Sequence, residues 1–219
     1  MTHIKGVILD VDGTLVDSND AHAKSWVDAL AEFGYTVPFA KIRPLIGKGG
    51  DKVLPEIIGV QSESDTGQKI SQRRGEIFKE RYLPTVRAFP QAQALLDHMR
   101  RRGLKLAIAS SAKPDELRSL LQLVGAADLI QEQTSSKDTK FSKPDPDAVQ
   151  VTLHRMDILP HYVVMIGDTP YDIEAAKKVA VRTIAVRSGG WKDADLAGAI
   201  AIYTDTADLL AQYDHSPLA

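Results

Sequence analysis

The chain contains no cysteine, which excludes disulfides, thiolate metal sites and cysteine nucleophiles. It carries no excess of either charge. Its 27 basic and 29 acidic residues leave a net charge of −2, too little to give an electrostatic footprint for nucleic acid. No apolar run is long enough to span a bilayer, and the six histidines show no zinc-type spacing. From Met1 the sequence passes through a short polar start straight into an apolar run, without a signal-peptide pattern. These absences predict a cytoplasmic protein with neither a nucleic-acid nor a membrane partner. They leave the oligomeric state open and compatible with a monomer. A length of 219 residues allows one large domain, or a core domain with a smaller insert, and either can bury a sizeable core.

What is present begins with Val7-Ile8-Leu9-Asp10-Val11-Asp12-Gly13-Thr14-Leu15-Val16. The apolar run predicts a buried strand, and it finishes in two aspartates one residue apart. On a strand, such a spacing puts both carboxylates on one face, where they repel unless a cation shares the site or one stays protonated. Carboxylate oxygens suit a hard cation such as Mg²⁺, and that ion in turn admits a phosphate.

Further apolar runs recur with helical patterns between them: Leu104–Ala109 ending at Ser110-Ser111, Tyr162–Ile166 ending at Gly167-Asp168, and Arg182–Val186 ending at Arg187-Ser188-Gly189-Gly190. Asp128–Ile130 and Ala199–Tyr203 are weaker strand candidates. Short buried strands alternating with amphipathic helices predict an α/β fold, a doubly wound parallel sheet of Rossmann-like type. Ligands in such sheets bind beyond the carboxyl ends of the strands, so Asp10, Asp12, Ser110 and Asp168 are expected to converge. Residues 17–86 break the rhythm with helical patterns from His22 to about Gly34, over Asp51–Ile58 and over Gln68–Tyr82. They predict a small helical domain inserted into a core made of residues 1–16 and 87–219.

Four segments now stand in order: Asp10-Val11-Asp12-Gly13-Thr14; Ser110 at a strand end; Lys143 within Phe141-Ser142-Lys143-Pro144-Asp145-Pro146-Asp147; and Gly167-Asp168-Thr169-Pro170-Tyr171-Asp172. In order, spacing and strand context this resembles the haloacid dehalogenase superfamily of phosphohydrolases, and the likeness spans essentially the whole chain. The helical insert is similar to the cap of phosphoglycolate phosphatase and β-phosphoglucomutase relatives. Ser18, His22 and Trp26 sit where those relatives carry a hydroxyl, a His and a Trp at the start of the cap.

The resemblance implies Mg²⁺-dependent hydrolysis of a small phosphorylated metabolite through an aspartyl-phosphate. Asp10 is the expected nucleophile, and Asp12 the acid for the leaving oxygen and then the base for water. Asp10, Asp168 and the backbone carbonyl of Asp12 are the expected Mg²⁺ ligands, with Asp172 next to the metal. Ser110, Ser111 and Lys143 are expected to hold the phosphoryl oxygens, although the two serines also suit a helix N-cap and Lys143 could be a solvated loop lysine like Lys137 and Lys140. Substrate recognition is assigned to the insert, with His22 and Lys48 as leading candidates and Lys52, Arg73 and Arg74 beside them. A phosphomutase is the alternative. Similar mutases carry an arginine in the cap loop where this chain has Gly49 and Gly50, and intact acids argue against a non-catalytic phosphate-binding module.

Overall fold

The computed structural model describes residues 3–219. The chain separates into two compact units, one running up to Asp17 and resuming over Arg87–Ala219, the other formed by Ser18–Val86. Among the described residues eight strands occur in chain order: β1 (Gly6–Leu9), β2 (Val16–Asp17), β3 (Arg87–Ala88), β4 (Lys105–Ala109), β5 (Glu132–Thr134), β6 (Val163–Gly167), β7 (Arg182–Val186) and β8 (Ala201–Tyr203).

The Ser18–Val86 unit is helical, with α1 (Asn19–Glu32), α2 (Phe39–Ile42), α3 (Gly50–Ile58) and α4 (Asp65–Ile77), the last continuing through a π-helical turn over Phe78–Tyr82. It has its own apolar centre, in which Trp26, Ala29 and Leu30 of α1 meet Ile42, Val53, Leu54, Ile70 and Ile77. Truncating a fully buried member such as Leu54 or Ile70 to Ala costs about 2–5 kcal/mol. The polar run before Gly67 reads as a break between helices, yet Gly67 lies inside α4. Ser64 caps the helix by accepting a hydrogen bond from the Gly67 N–H at 3.1 Å, which moves the start upstream to Asp65. The short α2 has too few residues to show a helical period.

The other unit holds a six-stranded parallel sheet in the order β5-β4-β1-β6-β7-β8. Helices α5 (Ala92–Arg101), α6 (Pro114–Val124), α7 (Asp147–Met156), α8 (Pro170–Lys178) and α9 (Thr206–Ala211) accompany it. Ile8, Ala107, Ala109, Val163 and Met165 point to the face covered by Val149 and Leu153 of α7 and Ala175 and Ala176 of α8. Their alternates Val7, Leu9, Leu106, Ile108, Val164 and Ile166 are equally buried, so the strands are apolar on both faces as parallel sheets require. Arg100 and Arg101 end α5 and Arg102 caps it, so this basic run serves a helix C-terminus. Among the described residues no helix is long and apolar enough to cross a membrane.

Two expectations need correction. Asp128–Ile130 is a turn, closed by the Leu129 N–H on the Ala126 carbonyl after Gly125 ends α6 in the left-handed region. Pairing with β4 starts only when Gln131 donates to Leu106, so the strand follows at Glu132–Thr134. The first strand also stops at Leu9, one residue short of the aspartates. Beyond it the Leu15 and Val16 N–H groups both turn back onto the Val11 carbonyl, and Gly13 takes φ +79°. Strand alternation therefore does not set the directions of Asp10 and Asp12; this tight turn does. Unforeseen from the sequence, β2 pairs antiparallel with β3, Val16 opposite Ala88, at the two ends of the unit's chain break.

Candidate active site

The strand order reverses at β1: the chain proceeds from it to β4 and β5 on one side and to β6, β7 and β8 on the other. Residues just beyond the carboxyl ends of β1 and β6 meet at this reversal, and β4, which ends before Ser110, pairs with β1 beside them. Asp10 follows β1 directly, its N–H bonded to the Ile166 carbonyl of β6 at 2.9 Å, and the residue is 4% exposed. Asp168 follows β6 and is fully buried. Carboxylate oxygens of Asp10, Asp168 and Asp172 lie within 4.8 Å of one another.

Asp172 is delivered by helix chemistry. Thr169 is the N-cap of α8, Pro170 occupies the first turn, and Thr169 and Asp172 form a reciprocal capping box. One Asp172 oxygen, Oδ2, accepts from the Thr169 N–H at 3.0 Å and from its hydroxyl at 2.7 Å. The other faces Lys143, whose Nζ donates to Asp172 Oδ1 at 2.6 Å and to Asp10 Oδ1 at 2.5 Å.

Lys143 is 1% exposed, unlike the exposed Lys137 and Lys140 a few residues earlier. Its loop is tied down on both sides. Asp147 at the start of α7 accepts from the Phe141 N–H, and Lys178 of α8 donates to the Pro144 carbonyl. Burial works against the ammonium charge, but Asp10 and Asp172 outweigh it and hold the Lys143 pKa above its ordinary value. Burial pushes the Asp10 carboxyl up from the usual carboxylate range; Lys143 opposes this, while the charges of Asp172 and Asp12 add to it. One ammonium thus pairs with two of the three buried carboxylates. An all-oxygen donor set of this kind fits a hard divalent cation.

Thr14 joins the two acidic segments. Its hydroxyl donates to Asp168 Oδ1 at 3.1 Å and lies 3.5 Å from Asp10 Oδ2. The sequence signal for this role of Thr14 is its place at the end of the Asp10-Val11-Asp12-Gly13-Thr14 turn. Asp12, two residues after Asp10, is only half-buried, so the two acids of the motif occupy different surroundings.

Ser110 directly follows β4, its N–H on the Thr134 carbonyl; it is 1% exposed, and its hydroxyl accepts from the Ala112 N–H at 3.0 Å. Neither Ser110 nor Ser111 caps α6, which starts at Pro114 with Lys113 in the N-cap position. The Ser111 hydroxyl is buried without a hydrogen-bond partner among the described residues.

The remaining candidates belong to the helical unit. His22 is 3% exposed, stacks on Phe78 with ring centroids 4.1 Å apart, and meets Arg74 through Nδ1. The Arg74 guanidinium also lies over the Trp26 and Phe78 rings. Lys48 pairs with Glu56 at 2.6 Å. Arg73 is bound to Glu32 and Glu76, a surface ion-pair cluster on α1 and α4.

Comparison with known proteins places the sequence and the fold in a family. The family model of haloacid dehalogenase-like hydrolases matches residues 7–186. A phosphoglycolate phosphatase of Rhodospirillum rubrum is 29% identical over 215 residues, covering 94% of this chain and 89% of that protein. The crystal structure of a hydrolase from Pseudomonas syringae superposes with a TM-score of 0.88 at 26% identity, covering 96% of this chain and 98% of that one. A β-phosphoglucomutase from Clostridium difficile shares the fold, with a TM-score of 0.84 at 18% identity and coverage of 97% and 96%. With three motif segments meeting in one buried cluster and most of its length matched by the family model, the chain belongs to the haloacid dehalogenase-like hydrolases.

Proposed function

We propose that the protein hydrolyses a small phosphate monoester, with Mg²⁺ bound, through a phosphoryl group carried on Asp10. The observation that carries this reading is the meeting of Asp10 with Lys143 at 2.5 Å, inside the Asp10–Asp168–Asp172 cluster. Asp10, Asp168 and the Asp12 carbonyl would hold Mg²⁺, with Asp172 beside it. The ion when bound offsets repulsion between carboxylate and phosphate and favours ionised Asp10.

In the first step a carboxylate oxygen of Asp10 attacks phosphorus, the P–O bond to the leaving group breaks, and Asp12 donates its proton to the departing oxygen. Lys143 places its charge beside Asp10, where the transferring group gathers negative charge. Ser110 and Ser111 supply hydroxyls for the phosphoryl oxygens. In the second step Asp12, now a carboxylate, takes a proton from water as that water attacks phosphorus. The bond to Asp10 breaks, phosphate leaves and both acids return to their starting state.

Selection of the leaving group is assigned to Ser18–Val86. His22 and Arg74 are the groups there suited to a polar or anionic substrate, whereas Arg73 is engaged by Glu32 and Glu76 and Lys48 by Glu56. Gly49 caps α3 and Gly50 begins it, so the Gly47–Gly50 stretch starts a helix and offers no arginine for a second phosphate. This supports hydrolysis over mutase chemistry.

A panel of phosphorylated metabolites, with phosphate release as readout, tests the reaction and finds the substrate. Chelated enzyme should be inactive and recover with Mg²⁺, while Ca²⁺, larger and less strictly octahedral, should support little turnover. Asp10→Asn should abolish turnover with the fold intact. A variant free of deamidation and parent carry-over that keeps most of the rate would overturn the nucleophile assignment.

A further inference from the structure

The acids of the site come from two chain segments, the turn after β1 and the turn after β6. A third segment touches both. The chain leaving β7 makes a single 3₁₀ turn over Arg187–Gly189, closed by Gly190 at φ +88°. The Ser188 hydroxyl donates to the Gly13 carbonyl at 2.6 Å, although β7 and β1 are separated by β6 in the sheet. To make that bond the turn must cross the end of β6, where Asp168 stands. It does so in close contact: a Cβ built on Gly189 would lie 1.8 Å from Asp168 Oδ2 and 2.6 Å from its Cγ.

We propose that Ser188 and Gly189 are positioning residues of the active site, locking the Asp10–Thr14 turn and the Asp168 carboxylate into one geometry. The Gly13 peptide is the point at which the first turn could rotate, because glycine has no side chain to restrain the left-handed φ it adopts there. Ser188 holds that peptide by its oxygen. The next residue, Thr14, donates to Asp168 Oδ1, and Gly189 walls Asp168 on the Oδ2 side. The contacts therefore close a ring: Ser188 to Gly13, Thr14 to Asp168, Asp168 back to Gly189.

The arm that carries the two residues is itself anchored. Arg187 pairs with Asp193 through two hydrogen bonds of 2.6 and 2.9 Å. Trp191 sets its ring edge-on to Tyr171 of α8, at 5.9 Å between centroids. No residue of the turn belongs to the four motif segments, so the family likeness did not single it out.

The inference rests on Asp168 being a metal ligand, and the test separates the two claims. The full chain is stripped with chelator and its Mg²⁺ affinity is measured by calorimetry in parent, Ser188→Ala, Ser188→Thr, Gly189→Ala and Asp168→Asn. The Tm of each metal-free protein and its kcat and KM are recorded in parallel. Gly189→Ala should weaken Mg²⁺ binding about tenfold or more, because the added methyl displaces the Asp168 carboxylate. Ser188→Ala should lower kcat about tenfold with KM little changed, and Ser188→Thr, which keeps the hydroxyl, should recover it. The metal-free Tm of the two Ser188 variants should stay close to the parent, while that of Gly189→Ala should fall by only a few degrees, about what 1–3 kcal/mol of local crowding costs in a chain of this size. Normal Mg²⁺ affinity in Gly189→Ala, with binding lost in Asp168→Asn, overturns the inference and leaves the metal site standing. A fall in metal-free Tm that accounts for the lost activity also overturns it, since the turn would then serve the fold. Normal Mg²⁺ affinity in Asp168→Asn overturns the ligand assignment and the inference with it.

Discussion

Replacing Lys143 by Met removes one charge while roughly keeping the length and volume of the side chain. Lys143 is the ammonium between Asp10 and Asp172, bound at 2.5 and 2.6 Å and 1% exposed. Its loss leaves a buried carboxylate cluster with no cation, and breaking a buried pair on one side costs about 3–5 kcal/mol. At about 2–4 °C per kcal/mol for a chain of this size, Tm in chelator should drop by roughly 6–20 °C near pH 8. The sign of the pH dependence follows from Asp10. Its folded pKa, already raised to about 7, rises further without Lys143, so the folded state binds the extra proton. Stability lost at high pH is therefore regained as pH falls through the folded pKa, and the gap between variant and parent should narrow towards pH 5–6. Calorimetric melting of both proteins across that range measures it. Phosphatase turnover should fall about 10²–10³-fold, as for loss of a charge aimed at the reacting group. A Lys143→Met protein as stable as the parent at pH 8 in chelator, or a deficit independent of pH, would refute the view that Lys143 neutralises the cluster.

Asp12→Asn should slow hydrolysis of alkyl phosphates far more than aryl phosphates, whose leaving oxygen needs little protonation; equal losses would remove Asp12 from the role of leaving-group acid. Gly67→Ala should destabilise the helical unit by about 1–3 kcal/mol in denaturant unfolding despite alanine's better helix propensity. The reason is that the new Cβ would lie 2.2 Å from the Gln61 carbonyl oxygen. Arg73→Ala should leave KM unchanged, because that side chain is held by Glu32 and Glu76; a marked rise in KM would return it to the substrate candidates.

The strands of the sheet and the start of α8 were legible in residue types and local pattern. Buried strands announce themselves as short apolar runs, and Arg182–Val186 is β7 to the residue. The Thr169-Pro170-Tyr171-Asp172 segment encodes its own helix start, since Pro suits the first turn and a Thr with Asp three residues on completes a capping box. These are short-range effects, set by neighbours along the chain. Where the signal is weaker than the local turn chemistry, as at Asp128–Ile130 and Gly67, the reading misplaced an element boundary.

What tertiary structure decided is which groups of the same type meet. Lys143 reaches Asp10 across 133 positions while Lys137 and Lys140 stay exposed, and Thr14 reaches Asp168 across 154. Arg73 and Arg74 are adjacent in the chain, yet one is spent on surface carboxylates and the other lies against His22, Trp26 and Phe78. Ser188 and Gly189 carry no motif at all. Their contact with Gly13 and Asp168 exists because β7 lies two strands from β1 and its turn must pass over the end of β6. Partner choice of this kind depends on distances between chain segments fixed only when the sheet is assembled, so residue identity specifies what a group can do and the fold specifies to whom.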